Sequence, residues 1–160
     1  MEVRSATVND AAAIHSLVND YAERDRMLYR SVPDIYENIQ SFFVATRGGT
    51  VVGCCGLDVI WADLAEIKSL AVAENHRNTG VGRALVRAAL EKAVNLEVER
   101  VFALTLDPAF FEKLGFERIE KSRLPMKVWR DCARCPKQDH CDEVAVITTA
   151  ARRRQPAAEP

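Results

Sequence analysis

The chain has 160 residues, of which 48% are apolar and 28% charged, the balance of a soluble globular protein with room for one core rather than two. Its 22 basic and 23 acidic side chains nearly cancel, so no global field favours nucleic acid or an anionic membrane. The opening stretch MEVRSATVND is charged throughout and reads as no secretory signal, no run approaches the roughly 20 apolar residues of a membrane helix, and a cytoplasmic location with reduced thiols is expected.

Asp10 stands before an apolar-periodic stretch of Ala11, Ile14, Leu17, Val18 and Tyr21, which predicts an N-capped helix over 11–24. Residues 24–31 read as a loop, and Pro33 opens a short helix with Ile35, Tyr36 and Ile39 on one side. The β-type runs 42–47 and 51–61 around Gly48-Gly49-Thr50 predict a hairpin. Residues 64–73 predict another strand, and 74–83 interrupt the pattern. An amphipathic helix then runs to Leu96, with Val81, Leu85, Val86, Ala89, Leu90, Ala93 and Val94 as its apolar stripe. Residues 100–106 read as a strand buried on both faces. Asp107 and Pro108 start a short helix that ends at Gly115. Strand-like pieces follow at 116–121, 126–129 and 143–147, the last after a cysteine-rich loop at 130–142. Residues 1–147 read as one α/β (α+β) domain with a mixed sheet, and 148–160 as a disordered tail.

The chemistry concentrates at Arg77-Asn78-Thr79-Gly80-Val81-Gly82-Arg83, between a strand and the strongest helix. A helix N-terminus exposes unpaired N–H groups and the positive end of the macrodipole. Gly80 and Gly82 let the backbone curl around an anion, and Arg77 and Arg83 add positive charge. Together they form a pyrophosphate cradle. Arg83 and Leu85 break the G-x-G-x-x-G pattern, and no G-K-[ST] is present, so dinucleotide and Walker readings fall away.

The pattern R-x-x-G-x-G after Leu70-Ala71-Val72 resembles the acetyl-CoA loop of the GNAT acetyltransferase superfamily. Phe111-Glu112-Lys113-Leu114-Gly115-Phe116 resembles that superfamily's late helix. The strings LYRS (28–31), AEIKSLAV (65–72), FFEKLGF (110–116), LPMKVW (124–129) and DCARCPKQDHCDEVAV (131–146) resemble its short bacterial N-acetylglutamate synthase-like branch. This resemblance implies a GNAT-like, mostly antiparallel central sheet flanked by helices on both faces. It implies an acetyl-CoA-dependent N-acetyltransferase acting on a small amine, with the α-amino group of glutamate as the leading acceptor and arginine biosynthesis as the setting. Protein N-termini, other amines, or a non-catalytic CoA-binding sensor are the alternatives. Homodimers are common in the superfamily.

The resemblance further implies that the backbone of Leu70, Ala71 and Val72 pairs with the pantetheine arm. Residues Arg77, Thr79, Gly80, Val81, Gly82 and Arg83 would hold the diphosphate, with Phe111 beside the cofactor. Glu66 is the first candidate for general base, acting directly or through a water. The superfamily often has Tyr where Phe111 stands, and Phe cannot donate a proton. Tyr29, Tyr36, Cys54 and Cys55 are conceivable donors, and none is assigned as the acid. An acidic acceptor needs cationic partners, for which Arg30, Lys68, Arg123 and Lys127 are the candidates. Met126 stands where that branch is expected to carry His. Cys132, Cys135 and Cys141, with His140, Asp139 and Asp142 nearby, have spacing compatible with a metal site, with structural thiols or with redox-sensitive thiols.

Overall fold

A computed structural model describes residues 1–24, 27, 29–124 and 143–150. In chain order the elements are β1 (Glu2–Ser5), α1 (Ala11–Glu23), α2 (Val32–Glu37), β2 (Phe42–Arg47), β3 (Thr50–Trp61), β4 (Leu64–Val72), α3 (Val81–Asn95), β5 (Arg100–Thr105), α4 (Pro108–Glu112), β6 (Glu117–Ile119) and β7 (Val144–Thr149). The strands form a seven-stranded sheet in the order β1-β2-β3-β4-β5-β7-β6. The pairs β1/β2, β2/β3, β5/β7 and β6/β7 are antiparallel. The chain divides into two compact units, Met1–Asp58 with Ile67–Lys92, and Val59–Glu66 with the chain from Ala93 onward. Among the described residues, no helix is long and apolar enough to cross a membrane.

In the first unit the hairpin and the α1 stripe form where periodicity places them, while α2 ends at Glu37, leaving Ile39 in a 3-10 turn and Tyr36 exposed next to the buried Ile35. Ile14, Val18, Ile35, Phe42, Val44, Cys54 and Ala71 make its buried core. The N-terminal strand β1 carries no apolar alternation, because Glu2 and Ser5 are exposed and Val3 and Arg4 half-buried. Its partner β2 defines it instead, through the pairing of Val3 with Ala45 and Arg4 with Val44. Asp10 is not the simple cap of α1 that the sequence suggests. It ends a 3-10 turn, Val8–Asp10, and has no side-chain cap bond to the helix. Its carboxylate accepts the Thr7 backbone N–H at 2.8 Å and a fork of N–H bonds from Arg4 at 2.8 and 3.0 Å. A bidentate guanidinium outcompetes a helix amide for the same oxygens.

The seating of α3 depends on Gly53 of β3. A Cβ at Gly53 would stand 2.7 Å from Val81 Cγ1, 3.0 Å from Leu85 Cδ1 and 3.3 Å from the Ala71 carbonyl. The missing side chain is what brings the first turn of α3 down onto β3.

In the second unit Ile60, Leu64, Phe102, Leu124 and Ala145 form the core. The Asp107 side chain accepts the Phe110 N–H at 3.3 Å and caps α4 as expected. The helix itself ends at Glu112, and the chain reaches Gly115 through a turn closed by Phe116 N–H on the Phe111 carbonyl at 3.1 Å. Gly115 has φ +97°, the left-handed value that favours glycine there. Strand β6 is shorter than expected, because Lys121–Arg123 form a 3-10 turn. Strand β7 extends to Thr149, past the expected boundary at 147. Thr148 donates to the Gly115 carbonyl at 3.2 Å, and the Ala150 N–H donates to the Glu99 carbonyl at 2.8 Å. The strand expected at 126–129 lies outside the described residues.

Two outcomes are expected in chemical-denaturation titrations. Gly53→Ala lowers stability by about 1–3 kcal/mol, the usual cost of overpacking, because the stiff Val81 side chain cannot swing aside. The Arg4 hydrogen bonds hold the Asp10 carboxyl below its usual range. A depressed carboxyl contributes stability above its unfolded pKa and loses it as pH falls through the folded value. Asp10→Asn is therefore less stable than the natural protein at pH 7, and the difference shrinks as pH drops below about 4.

Candidate functional site

The turn between β4 and α3 is built by backbone conformations that few residues tolerate. Asn78 has φ +62° and Gly80 has φ +92°. Asn is among the residues that enter this region most readily, and Gly enters it without penalty. A Cβ at Gly80 would meet no atom within 4 Å, so the residue lies against open space. Helix α3 then begins, and the first i→i−4 bond runs from Ala84 N–H to the Gly80 carbonyl at 3.1 Å. The amides of Val81, Gly82 and Arg83 precede that bond and have no intrahelical acceptor. Val81 is buried, Gly82 half-buried and Arg83 exposed. Gly82 is not among the residues with positive φ, so its backbone needs no glycine for conformation, unlike Gly80.

Thr79 is held from two sides. Its hydroxyl donates to the His76 carbonyl. Arg47, the last residue of β2, donates Nη1 to the Thr79 hydroxyl and Nη2 to the Thr79 carbonyl, each at 3.1 Å. Arg77 does not swing free as a mobile charge. Its guanidinium lies 4.9 Å from the centroid of the Tyr21 ring, and Nε donates to the Val72 carbonyl at 3.3 Å. Its Nη2 is buried without a partner, a cost that an acceptor group would relieve. Helix amides without an intrahelical acceptor, open space at Gly80 and an orphaned guanidinium nitrogen together fit an anionic group such as a diphosphate.

The end of β4 is similarly occupied. The Val72 N–H donates to the Tyr21 hydroxyl, which in turn donates to the Val72 carbonyl, both at 3.2 Å. A pantetheine bond at Val72 therefore has to displace Tyr21. Ala71 is buried and Leu70 half-buried. Just upstream, Ser69 has φ +54°, an irregularity within β4. Neighbours fix it: Cys54 Sγ donates to the Ser69 carbonyl at 3.4 Å, and Arg30 Nη1 donates to the Ser69 hydroxyl at 3.0 Å. Arg30 also donates Nε to Asp34 at 2.7 Å and lies 5.3 Å from the Phe42 centroid. It is brought to β4 beside Lys68 in sequence, but already oriented by protein groups. Lys68 lies 3.5 Å from Asp58.

Glu66 is one of the two buried acidic side chains among the described residues, at 6% exposure, the other being the Arg4-paired Asp10. Phe111 is buried in the second unit, edge-on to Phe110 and Phe116 at centroid distances of 5.0 and 5.1 Å. Arg123 is exposed and lines a depression with Arg100, Arg118 and Thr149. Tyr29 and Tyr36 are exposed. Both thiols suggested as donors are core groups at 0% exposure. Burial pushes the Cys54 thiol up to about 12 and the Cys55 thiol up as well. That burial weighs against the two thiols, left open as conceivable donors, because a raised pKa makes proton transfer to a leaving thiolate unfavourable. Met126, Lys127, Cys132, Cys135, Asp139, His140, Cys141 and Asp142 lie outside the described residues. Among the described residues no group of three or more His, Cys, Asp or Glu side chains could hold a metal ion.

Sequence reading missed Arg47 and Tyr21. Arg47 precedes an ordinary Gly-Gly turn, and Tyr21 reads as one more apolar position of α1. Their partners lie far off in sequence, so no local pattern flags them.

The acetyltransferase (GNAT) family model matches residues 11–116. An uncharacterized N-acetyltransferase of Chlorobaculum tepidum is 47% identical over 147 residues, covering 92% of this chain and 95% of that protein. An amino-acid acetyltransferase of Mycobacterium tuberculosis is 38% identical over 135 residues, covering 82% and 77%. Among solved structures, Rv2747 of Mycobacterium tuberculosis in complex with CoA and NLQ has TM-score 0.80 at 32% identity, covering 93% of this chain and 99% of that one. The N-acetylglutamate synthase of Neisseria gonorrhoeae, complexed with coenzyme A and N-acetyl-glutamate, has TM-score 0.84 at 24% identity. This chain spans 35% of that one, and the likeness there is one of fold. With the R-x-x-G-x-G turn seated at the start of α3, the chain belongs to the GNAT family and is an acetyl-CoA-dependent acetyltransferase.

Proposed function

We propose that the protein acetylates the α-amino group of a small amino acid, with glutamate as the first candidate. The observation that carries this reading is the 38% identity, over most of both chains, to a protein named amino-acid acetyltransferase. The Mycobacterium tuberculosis structure in complex with CoA supports the cofactor assignment.

Acetyl-CoA supplies the acyl group as an activated thioester. The amides of Val81, Gly82 and Arg83 and the neighbouring conformation of Gly80 receive its diphosphate, where the helix dipole adds to the attraction. Glu66 takes a proton from the acceptor amine, directly or through a water, and leaves it nucleophilic. Its support is its place on β4, the strand that feeds the turn, and its burial. Arg30 and Lys68 supply positive charge for the acceptor carboxylates, with Arg123 and Lys127 as further candidates. No acid is assigned. Thiols titrate near 8.5, so the CoA thiolate is a tolerable leaving group near neutral pH. Positioning and electrostatics supply most of the acceleration.

The test is thiol release from acetyl-CoA with a panel of acceptors. Turnover with glutamate, glutamine or a similar amino acid is expected; turnover with peptides alone overturns the reading. Glu66→Gln is expected to lower kcat by roughly 100-fold, with the loss read in the pH profile of kcat/KM. Gly80→Val puts a β-branched residue at φ +92°, and calorimetry should show CoA binding weakened by on the order of 10-fold in a protein that still folds.

A further inference from the structure

The β2–β3 hairpin reaches the turn that precedes α3 through the Arg47 side chain. The β2/β3 register shifts between Ala45 and Thr46, an irregularity of the kind that re-aims side chains. One residue later Arg47 closes the hairpin opposite Thr50 and faces the turn. Its two terminal nitrogens grip Thr79 on the hydroxyl and on the carbonyl, each at 3.1 Å, and Nη1 also lies 3.4 Å from His76 Nδ1. Thr79 sits between Asn78 and Gly80, the residues with φ +62° and +92°. Fixing its carbonyl fixes the peptide plane that leads into Gly80. A fork of two charge-assisted bonds is suited to holding one plane at one angle.

We propose that Arg47 is a positioning residue for CoA: by clamping Thr79 it presets the left-handed turn whose following amides receive the diphosphate. Arg47 acts through Thr79 and touches no phosphate. A turn set in advance loses less conformational freedom on binding than one ordered by the ligand, and so binds more tightly. The proposal rests on the reading of residues 77–83 as the diphosphate turn.

The test is calorimetric titration of the full chain with CoA and with 3′-dephospho-CoA, for the natural protein and for Arg47→Ala, Arg47→Lys, Thr79→Val and the Arg47→Ala/Thr79→Val pair. Arg47→Ala is expected to weaken both ligands by the same factor, on the order of 10-fold, the weight of a charge-assisted pair. In turnover the loss appears in KM for acetyl-CoA and not in kcat. Arg47→Lys recovers part of it, because an ammonium can serve one acceptor but not both in the same fork. Thr79→Val weakens binding, and adds less in the Arg47→Ala background than alone. Should Arg47→Ala fail to fold, the Lys and Val variants carry the same expectations.

Several results would overturn the proposal. One is a folded Arg47→Ala that binds CoA within about twofold of the natural protein. Another is weakening confined to CoA, which would make Arg47 a direct ligand of the 3′-phosphate. A third is full multiplication of the Arg47 and Thr79 effects. Absence of CoA binding by the natural protein would instead sink the diphosphate reading, and the proposal with it.

Discussion

The left-handed turn at Gly80 is the constraint on which the site depends. It carries the chain from β4 into α3 at a residue that lies against open space. Its neighbours do not relax that conformation but reinforce it. Thr79 is tied to His76 and Arg47, Arg77 is laid across Tyr21, and Gly53 lets Val81 and Leu85 press the helix onto β3. A turn of this kind has few side chains of its own to adapt. Its geometry has to be imposed by the packing around it.

A second irregularity, at Ser69, interrupts β4 between Lys68 and Leu70. Positive φ at a serine costs about 1–3 kcal/mol and persists where the surroundings over-determine it. Here a guanidinium and a buried thiol hold the residue from its two polar ends. Arg30 is thereby given a task within the fold beyond any contact with an acceptor. Its fork is aligned by Asp34, Ser69 and the face of Phe42 before a ligand arrives. The ordering cost of that guanidinium is thus met on folding.

The features legible in the sequence were those written locally. The hairpin at Gly48-Gly49, the stripe of α3, the Asp107 cap and the R-x-x-G-x-G turn each depend on residues within a few positions of one another. The features that escaped depend on distant partners. Strand β1 is polar and exists because β2 accepts it. Asp10 looks like a cap until Arg4, six residues upstream, claims its carboxylate. Arg77 reads as a free cation until Tyr21, far upstream on α1, receives it. Arg47 and Thr79 are 32 residues apart, and no spacing rule joins them. Glycine was readable as a residue type, but Gly80 and Gly82 look equivalent in sequence; only φ separates the one that needs to be glycine for conformation.

The fate of the leaving sulfur follows from where the aromatic and thiol groups settle. Phe111 packs edge-on against Phe110 and Phe116 and has no proton to give. Cys54 already donates its S–H to Ser69, and burial pushes its pKa up to about 12. Protonating a thiolate of ordinary basicity, near 8.5, from such a donor runs uphill. Neither Phe111 nor Cys54 is therefore a ready proton source for a departing thiolate, and no acid is assigned in the function proposed above. The demanding proton transfer then moves to the other reactant, the acceptor ammonium, which has to lose a proton before it can attack. In the function proposed above, that proton goes to Glu66. Its support remains its burial and its place on β4, whereas the other buried carboxylate among the described residues, Asp10, lies far upstream in a pair with Arg4.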